Sequence, residues 1–172
     1  MAIKGLDKTQ DQLTIDLLTS CEEFDFYLTG SRFFNTFREN SDWDFFIQDA
    51  PDVRTFLSEN DFKQMFDGGY EDQNFRCLWE KGKVQVQLVI DAKLKEQVQK
   101  ILLNDKALSS IISNEFIRLD IRSKDICKKQ ARVFWNLAYD AFKAGMLYLE
   151  ANLPINPTNV ANPEERNVEN FS

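Results

Sequence analysis

Histidine is absent from this chain of 172 residues. Its absence excludes histidine general bases, Ser-His or Cys-His catalytic pairs and histidine metal ligands. Cysteine is scarce as well, because Cys21, Cys77 and Cys127 are the only three and lie far apart. An odd number at wide spacing argues against a disulfide framework and for a reducing, cytoplasmic compartment. Any chemistry therefore has to use carboxylates, lysine, arginine, hydroxyls, thiols or a bound metal ion.

Long apolar runs are also missing. No stretch of about 18 uninterrupted apolar residues occurs, so we expect no membrane span, and the first residues lack the apolar segment of a secretory leader. The net charge is -7. Because phosphate repels an acidic protein, we do not expect general nucleic-acid binding. The hydrophobic fraction of 43%, with 15 phenylalanines, predicts an aromatic-rich core.

Hydrophobic periodicity predicts an α+β fold, with a small mixed sheet, helices on one side of it and a helical C-terminal segment. The predicted strands cover residues 24–29, 42–47, 74–80 and 84–91. Helices are expected over 8–20, briefly over 31–37, from Pro51 through Leu57, over 94–102, around 108–112 and over 124–150, and Phe62, Met65 and Phe66 supply further apolar residues. We expect one domain over 1–150, with a core over 24–91, a helical part over 92–150 and an extended tail over 151–172.

Two short elements in the first third of the chain carry the chemistry. An apolar strand over 24–29 ends at Gly30 and Ser31. After ten intervening residues, Asp42 and Asp44 open a second apolar strand. Side chains two apart on a strand point to the same face, with Cα atoms roughly 7 Å apart. Two carboxylates that face a Gly-Ser turn are expected to hold a divalent metal ion and a phosphate chain.

This pattern resembles the nucleotidyltransferase superfamily typified by DNA polymerase beta, over less than half of the chain. The resemblance implies a magnesium-dependent enzyme that transfers a nucleoside monophosphate from a nucleoside triphosphate to an acceptor. It implies that Asp42 and Asp44 are catalytic residues and bind Mg²⁺. It also implies that Gly30 and Ser31 contact the triphosphate, with Arg32 as a further phosphate contact.

The third acidic position of that superfamily is where this chain departs from the pattern. The resemblance places the third carboxylate on a strand beside the Asp-x-Asp strand, and here that segment reads Val-Gln-Val around Gln85. A glutamine can offer a carbonyl oxygen to a metal, but its neutral amide cannot act as a base. It also lacks the charge that would hold a second metal ion, which argues against a two-metal site. Gln87 has the same defect. Asp91 is predicted to lie roughly 20 Å from Gln85 along the strand, and Glu80 to lie across the hairpin in poor geometry.

Three hypotheses remain open at this point. The first is an active nucleotidyltransferase with an atypical third ligand. The second is a catalytically impaired nucleotidyltransferase fold that acts as a nucleotide- or protein-binding inhibitor or adaptor, with residues 152–172 as a possible site for a protein partner. The third, which rests on chain length, is a toxin-like or antitoxin-like nucleotidyltransferase that pairs with another chain.

Overall fold

The structure is a computed structural model that describes residues 9–67, 72–104 and 124–152. Within these residues the fold is mixed α+β, with one five-stranded sheet and five helices. The strands are β1 (Tyr27–Thr29), β2 (Trp43–Gln48), β3 (Lys63–Asp67), β4 (Phe75–Lys81) and β5 (Val84–Val89). The helices are α1 (Gln10–Thr19), α2 (Gly30–Phe33), α3 (Pro51–Glu59), α4 (Ala92–Leu103) and α5 (Lys124–Asn152).

The order of the strands brings the ends of separate sequence segments to one edge of the sheet. The order is β1-β2-β5-β4-β3, with β2 and β5 parallel and every other pair antiparallel. Parallel strands begin at the same edge, and an antiparallel neighbour ends there. The starts of β2 and β5 therefore lie beside the ends of β1 and β4. The β4–β5 hairpin turns at Gly82, whose φ of 59° is in the left-handed region that glycine adopts readily.

One face of the sheet packs against α1 and α3. Apolar side chains that alternate along β2 and β5 point to this face, where α1 and α3 add two buried residues each. The buried residues of this core are Ile15, Leu18, Phe45, Ile47, Val53, Leu57, Phe62, Cys77, Trp79, Val84, Val86 and Leu88. Phe24, Phe26 and Phe56 pack together at its margin through edge and tilted ring contacts. The aromatic-rich core expected from the composition is therefore present.

The opposite face of the sheet is covered by α4, with α5 packed on α4. Phe46 points to this face and is fully buried, although its neighbours Phe45 and Ile47 are buried on the other. A strand with consecutive buried residues is typical of a sheet that is covered on both faces. The expectation of helices on one side was therefore wrong. The second core contains Phe34, Leu94, Val98, Leu102, Trp135 and Tyr139.

Helix α5 is joined to the start of β4 by polar contacts. The backbone N–H of Gln73 donates to Oδ1 of Asn136 at 2.9 Å. The side-chain amide of Gln73 donates to the backbone carbonyl of Asn136 at 3.2 Å and to Oδ1 of Asp140 at 3.1 Å. These bonds orient α5, so that Trp135 and Tyr139 face α4 rather than solvent.

Local sequence signals account for several helix starts. The hydroxyl of Thr9 accepts the backbone N–H of Gln12 at 3.2 Å, which caps α1. The carboxylate of Asp91 accepts the backbone N–H of Leu94 at 2.9 Å, which caps α4. Pro51 occupies the first turn of α3, where its missing N–H and fixed φ cost nothing.

Most predicted elements are present with bounds shifted by a few residues, but two predictions need correction. No strand was predicted between the helix from Pro51 and the hairpin; α3 ends at Glu59, and residues 63–67 form edge strand β3. The first strand is shorter than expected, since β1 begins at Tyr27. The helix predicted around 108–112 lies outside the described residues, as does the tail from residue 153 onward. Helix α5 includes Asn152, so it runs slightly past the predicted domain end.

Within the described parts of the chain, no helix is both long enough and apolar enough to cross a lipid bilayer.

Replacing Leu57 with alanine should destabilise the protein strongly. The side chain is fully buried between α3 and the sheet, and a Leu→Ala change at such a site costs about 2–5 kcal/mol, because burial is lost and a cavity remains. Urea unfolding should show the loss. Leu13→Ala is the matched control, since Leu13 is 50% exposed on α1 and should change stability by less than about 0.5 kcal/mol. Equal effects of the two changes would contradict this description of the core.

Candidate functional site

The carboxylate of Asp44 packs directly against the backbone of Gly30. A Cβ added at Gly30 would lie 3.1 Å from both Cβ and Cγ of Asp44, and closer still to Oδ2. Gly30 also has a φ of 66°, a value that side-chain-bearing residues rarely adopt. Two independent constraints therefore require glycine at the junction of β1 and α2. Gly30 and Asp44 are therefore in close contact, and their role as one binding site stays a prediction.

Strand pairing sets the neighbours of Asp44 on each side. In the sheet, Thr29 of β1 and Gln85 of β5 are its directly paired residues. Paired residues on adjacent strands point to the same face of a sheet. Gln85 therefore stands beside Asp44, as expected for the position where the resemblance places a third acid. Both side chains are partly exposed at the edge where β2 and β5 begin.

Glu80 lies closer to this site than expected. It is directly paired with Gln85 across the β4–β5 hairpin, so a single row crosses the sheet from Asp44 through Gln85 to Glu80. The prediction of poor geometry for Glu80 was wrong, because it did not include the pairing register of the hairpin. Adjacent strands are about 4.8 Å apart, which puts the Glu80 Cα roughly 10 Å from that of Asp44.

Asp42 and Ser31 lie at the open side of the site. Asp42 directly precedes β2 and its side chain is exposed. Ser31 is partly buried at the start of α2, where its backbone carbonyl accepts the N–H of Thr36 at 2.8 Å. Within the described residues, neither the carboxylate of Asp42 nor the hydroxyl of Ser31 makes a hydrogen bond. Both groups are accessible to a ligand, and their assigned roles stay predictions.

Arg32 holds the loop that leads into β2. Its Nη2 donates to the backbone carbonyl of Ser41 at 2.7 Å, and its Nε donates to that of Asp42 at 3.2 Å. The guanidinium carbon lies 4.1 Å from the ring centroid of Trp43 and 4.8 Å from that of Phe37. These contacts give Arg32 a positioning role, since they fix the approach of the chain to the aspartates. The predicted phosphate contact stays a prediction.

Lys95 is the residue of this region that sequence reasoning missed. It extends from α4 over the same face of the sheet, is only 4% exposed, and donates from Nζ to Oε1 of Gln87 at 2.8 Å. Burial lowers the pKa of its ammonium, and the carboxylates of Asp72 and then Asp44 act in the opposite direction. A signal was available, because Lys95 and Gln99 interrupt the apolar face of α4 at four-residue spacing.

The remaining candidates for the third acid have structural roles. The side-chain oxygen of Gln87 accepts a hydrogen bond from the ammonium of Lys95. Asp91 lies beyond the end of β5, where it caps α4 and exchanges hydrogen bonds with Asn74 at 2.8 and 2.9 Å. Neither residue is placed to complete a metal site with Asp44.

The oxygen donors near Asp44 fit a magnesium ion that is bound together with phosphate. Carboxylates of Asp42 and Asp44 and the carbonyl of Gln85 are the hard oxygen ligands that Mg²⁺ prefers. Within residues 9–67, 72–104 and 124–152, no three acidic or cysteine side chains are grouped so that they alone could hold a metal ion. These residues would supply only part of the coordination shell of a metal ion. Magnesium sites of this kind are completed by waters and substrate phosphates.

Comparison with known proteins adds no relative to this description. No family model, curated protein or solved structure matches the chain.

Replacing Gly30 with alanine should destabilise the protein by about 1–3 kcal/mol, because a left-handed backbone and the Asp44 side chain both oppose a Cβ. Gly145→Ala is the matched control. Nothing lies within 4 Å of a Cβ built at Gly145 in α5, so alanine should stabilise the protein there by about 0.5–1 kcal/mol. Thermal and urea unfolding would measure both effects, and a neutral Gly30→Ala would contradict the close Gly30–Asp44 packing.

The variant Lys95→Met should change how stability depends on pH. At neutral pH the wild-type fold bears the cost of a buried ammonium. As pH rises toward the ordinary lysine pKa of 10.5, the folded protein releases this proton before the unfolded chain does, so wild-type stability gains. The stability of Lys95→Met relative to wild type should therefore be highest near neutral pH and fall as pH rises.

Urea unfolding over this pH range would measure the trend. Lys93→Met is the control, since Lys93 is exposed on the same helix. A difference between Lys95→Met and wild type that stays constant with pH would contradict a lowered pKa of Lys95.

Proposed function

We propose that this protein binds a nucleoside triphosphate together with Mg²⁺ and transfers the nucleoside monophosphate to an acceptor, with release of pyrophosphate. The observation that carries the proposal is the contact between Asp44 and Gly30. It joins the two separated parts of the sequence pattern that resembles the nucleotidyltransferases. A carboxylate next to a glycine, whose backbone a ligand can approach closely, is an arrangement suited to binding a cation together with a phosphate chain.

Each residue of the site has a chemical role in this proposal. Asp42 and Asp44 would hold the metal ion, which neutralises charge on the phosphate oxygens during transfer. The backbone at Gly30 and the hydroxyl of Ser31 would bind the phosphate chain. Arg32 keeps the aspartates in place by binding the carbonyls of the loop before β2.

The reaction needs few further groups from the protein. A hydroxyl oxygen of the acceptor bonds to the α-phosphorus while the bond from the α-phosphorus to the bridging oxygen breaks, and the acceptor proton passes to solvent or to a carboxylate. Positioning and charge neutralisation account for most of the catalysis in such transfers.

The free thiols of Cys21 and Cys77 support the accompanying proposal of a reducing, cytoplasmic location.

One observation favours a second candidate function. Gln85 stands directly beside Asp44, where an acid would assist the acceptor hydroxyl. A neutral amide cannot take a proton from that hydroxyl. The same site would then bind a nucleoside triphosphate without turnover, and the protein would act as a nucleotide-dependent inhibitor or adaptor. Nucleotide binding is common to both candidates, whereas group transfer distinguishes them.

Calorimetric titration with ATP in the presence of Mg²⁺ tests the shared step. Asp44→Asn should weaken binding by about tenfold or more, because a charged ligand contact of this kind contributes roughly 1.5–3 kcal/mol. Asp25→Asn removes the same charge from an exposed position before β1 and should leave affinity unchanged. Absence of ATP binding to the wild-type protein would reject both candidate functions.

Transfer is then measured with labelled nucleoside triphosphates and a panel of acceptors: small molecules, RNA ends and protein side chains. Release of pyrophosphate with label transfer by the wild-type protein supports the enzyme. ATP binding without transfer, combined with transfer by Gln85→Asp, supports the impaired site. The reverse pattern, in which Gln85→Asp loses an activity that the wild type has, would show that the neutral amide is part of a working site.

A further inference from the structure

Lys95 is the most strongly buried charged group of the described structure. Its side chain is 4% exposed, beneath α5 and above the sheet face that carries Asp44. Every other charged residue whose burial is described is at least partly exposed to solvent. Burying an ammonium costs free energy unless nearby groups compensate. Its position therefore needs an explanation beyond packing.

The immediate surroundings of the ammonium are neutral. Nζ donates to Oε1 of Gln87 at 2.8 Å, and lies 5.1 Å from the ring centroid of Phe46 and 5.0 Å from that of Trp135. Aromatic faces and an amide oxygen attract a cation, but less strongly than a carboxylate does. No ion pair to Lys95 forms within the part of the chain that the structure describes.

Carboxylates farther away supply the remaining compensation. Among the described acids, the charges of Asp72 and then of Asp44 favour the charged form of Lys95 and raise its pKa against the effect of burial. Interaction between charges is reciprocal, so the ammonium also acts on Asp44. Lys95 is held in place by Gln87, which is two residues along β5 from Gln85 and on the same face. The ammonium of Lys95 and the neutral amide of Gln85 thus lie on the same face of the sheet.

The two features together change the charge of the site in the same direction. Relative to a site with three carboxylates, Gln85 lacks one negative charge in the row beside Asp44, and Lys95 adds one positive charge above the same face of the sheet. Both differences make the site less negative than a site with three carboxylates and no lysine. Fewer divalent cations are then needed to neutralise it when a phosphate chain binds.

We propose that Lys95 is a built-in cation that replaces the charge of a second metal ion, so that the site takes a nucleoside triphosphate with one divalent cation. This inference rests on the proposed nucleotide binding and adds its metal requirement. Lys95 acts here as a positioning residue: it stabilises the charge of Asp44 and of the bound phosphate chain without contacting the reacting atoms.

Mn²⁺ binding followed by electron paramagnetic resonance tests this inference without an activity assay. With the non-hydrolysable analogue α,β-methylene-ATP, the wild-type complex should hold one Mn²⁺. Without nucleotide, Lys95→Met should bind Mn²⁺ about tenfold more tightly than the wild type, because a repelling charge near Asp44 is lost. Its affinity for the analogue at saturating Mn²⁺ should fall about tenfold.

Three further variants make the result specific. Lys95→Arg keeps the charge and should retain the wild-type affinity for the analogue to within a few-fold. Lys93→Met loses the same charge from an exposed position on α4 and should leave Mn²⁺ affinity unchanged. In Lys95→Met combined with Asp44→Asn, the gain in Mn²⁺ affinity should disappear, which would show that the coupling runs through Asp44.

The outcomes separate this inference from the proposed function. A wild-type complex that holds two Mn²⁺ with the analogue bound would overturn the single-cation inference and leave nucleotide binding intact. An Mn²⁺ affinity that is the same in Lys95→Met and wild type would also overturn it. Failure of the wild type to bind the analogue at all would reject the proposed function, and this inference with it.

Discussion

The packing of the Asp44 carboxylate on Gly30 is the constraint on which the rest of the site depends. It requires that β1 end at the edge where β2 begins, which antiparallel pairing of these two strands provides. It also requires a left-handed backbone and no side chain at residue 30. Arg32 follows directly and binds the carbonyls before β2. Two neighbouring parts of the chain thus position the aspartates: Gly30 packs against Asp44, and Arg32 binds the backbone carbonyl of Asp42.

The sheet separates two environments that serve different purposes. On one face, α1 and α3 cover an apolar, aromatic core that supplies stability. On the other, α4 and α5 cover a face on which Phe46 packs with Val89 and Ala92, and polar side chains lie beside this apolar cluster. Gln87 and Lys95 meet there at 2.8 Å, close to the row from Asp44 to Glu80. A buried ammonium lowers stability, so its presence near the candidate site is more easily explained by function than by folding.

Charge is the property that unites the proposed function and the inference about Lys95. The protein is acidic as a whole, with a net charge of -7, yet its candidate site is less negative than a three-carboxylate site. Gln85 and Lys95 both contribute to that difference. A polyphosphate is itself highly negative, and a fixed ammonium costs no reorganisation when it binds. The number of metal ions that bind with a nucleotide would therefore report the charge of the site.

The sequence alone determined the local features: the Gly-Ser turn, the aspartates at the start of β2 and the hairpin. Each depends on spacing and side-chain alternation within a few dozen residues, where strand geometry leaves few alternatives. Only the tertiary structure decided that helices cover both faces, that Gln85 pairs with both Asp44 and Glu80, and that Lys95 is buried against Gln87 on the same face. These follow from the hairpin register and from the docking of α4 and α5, which depend on contacts between distant segments that no local pattern encodes.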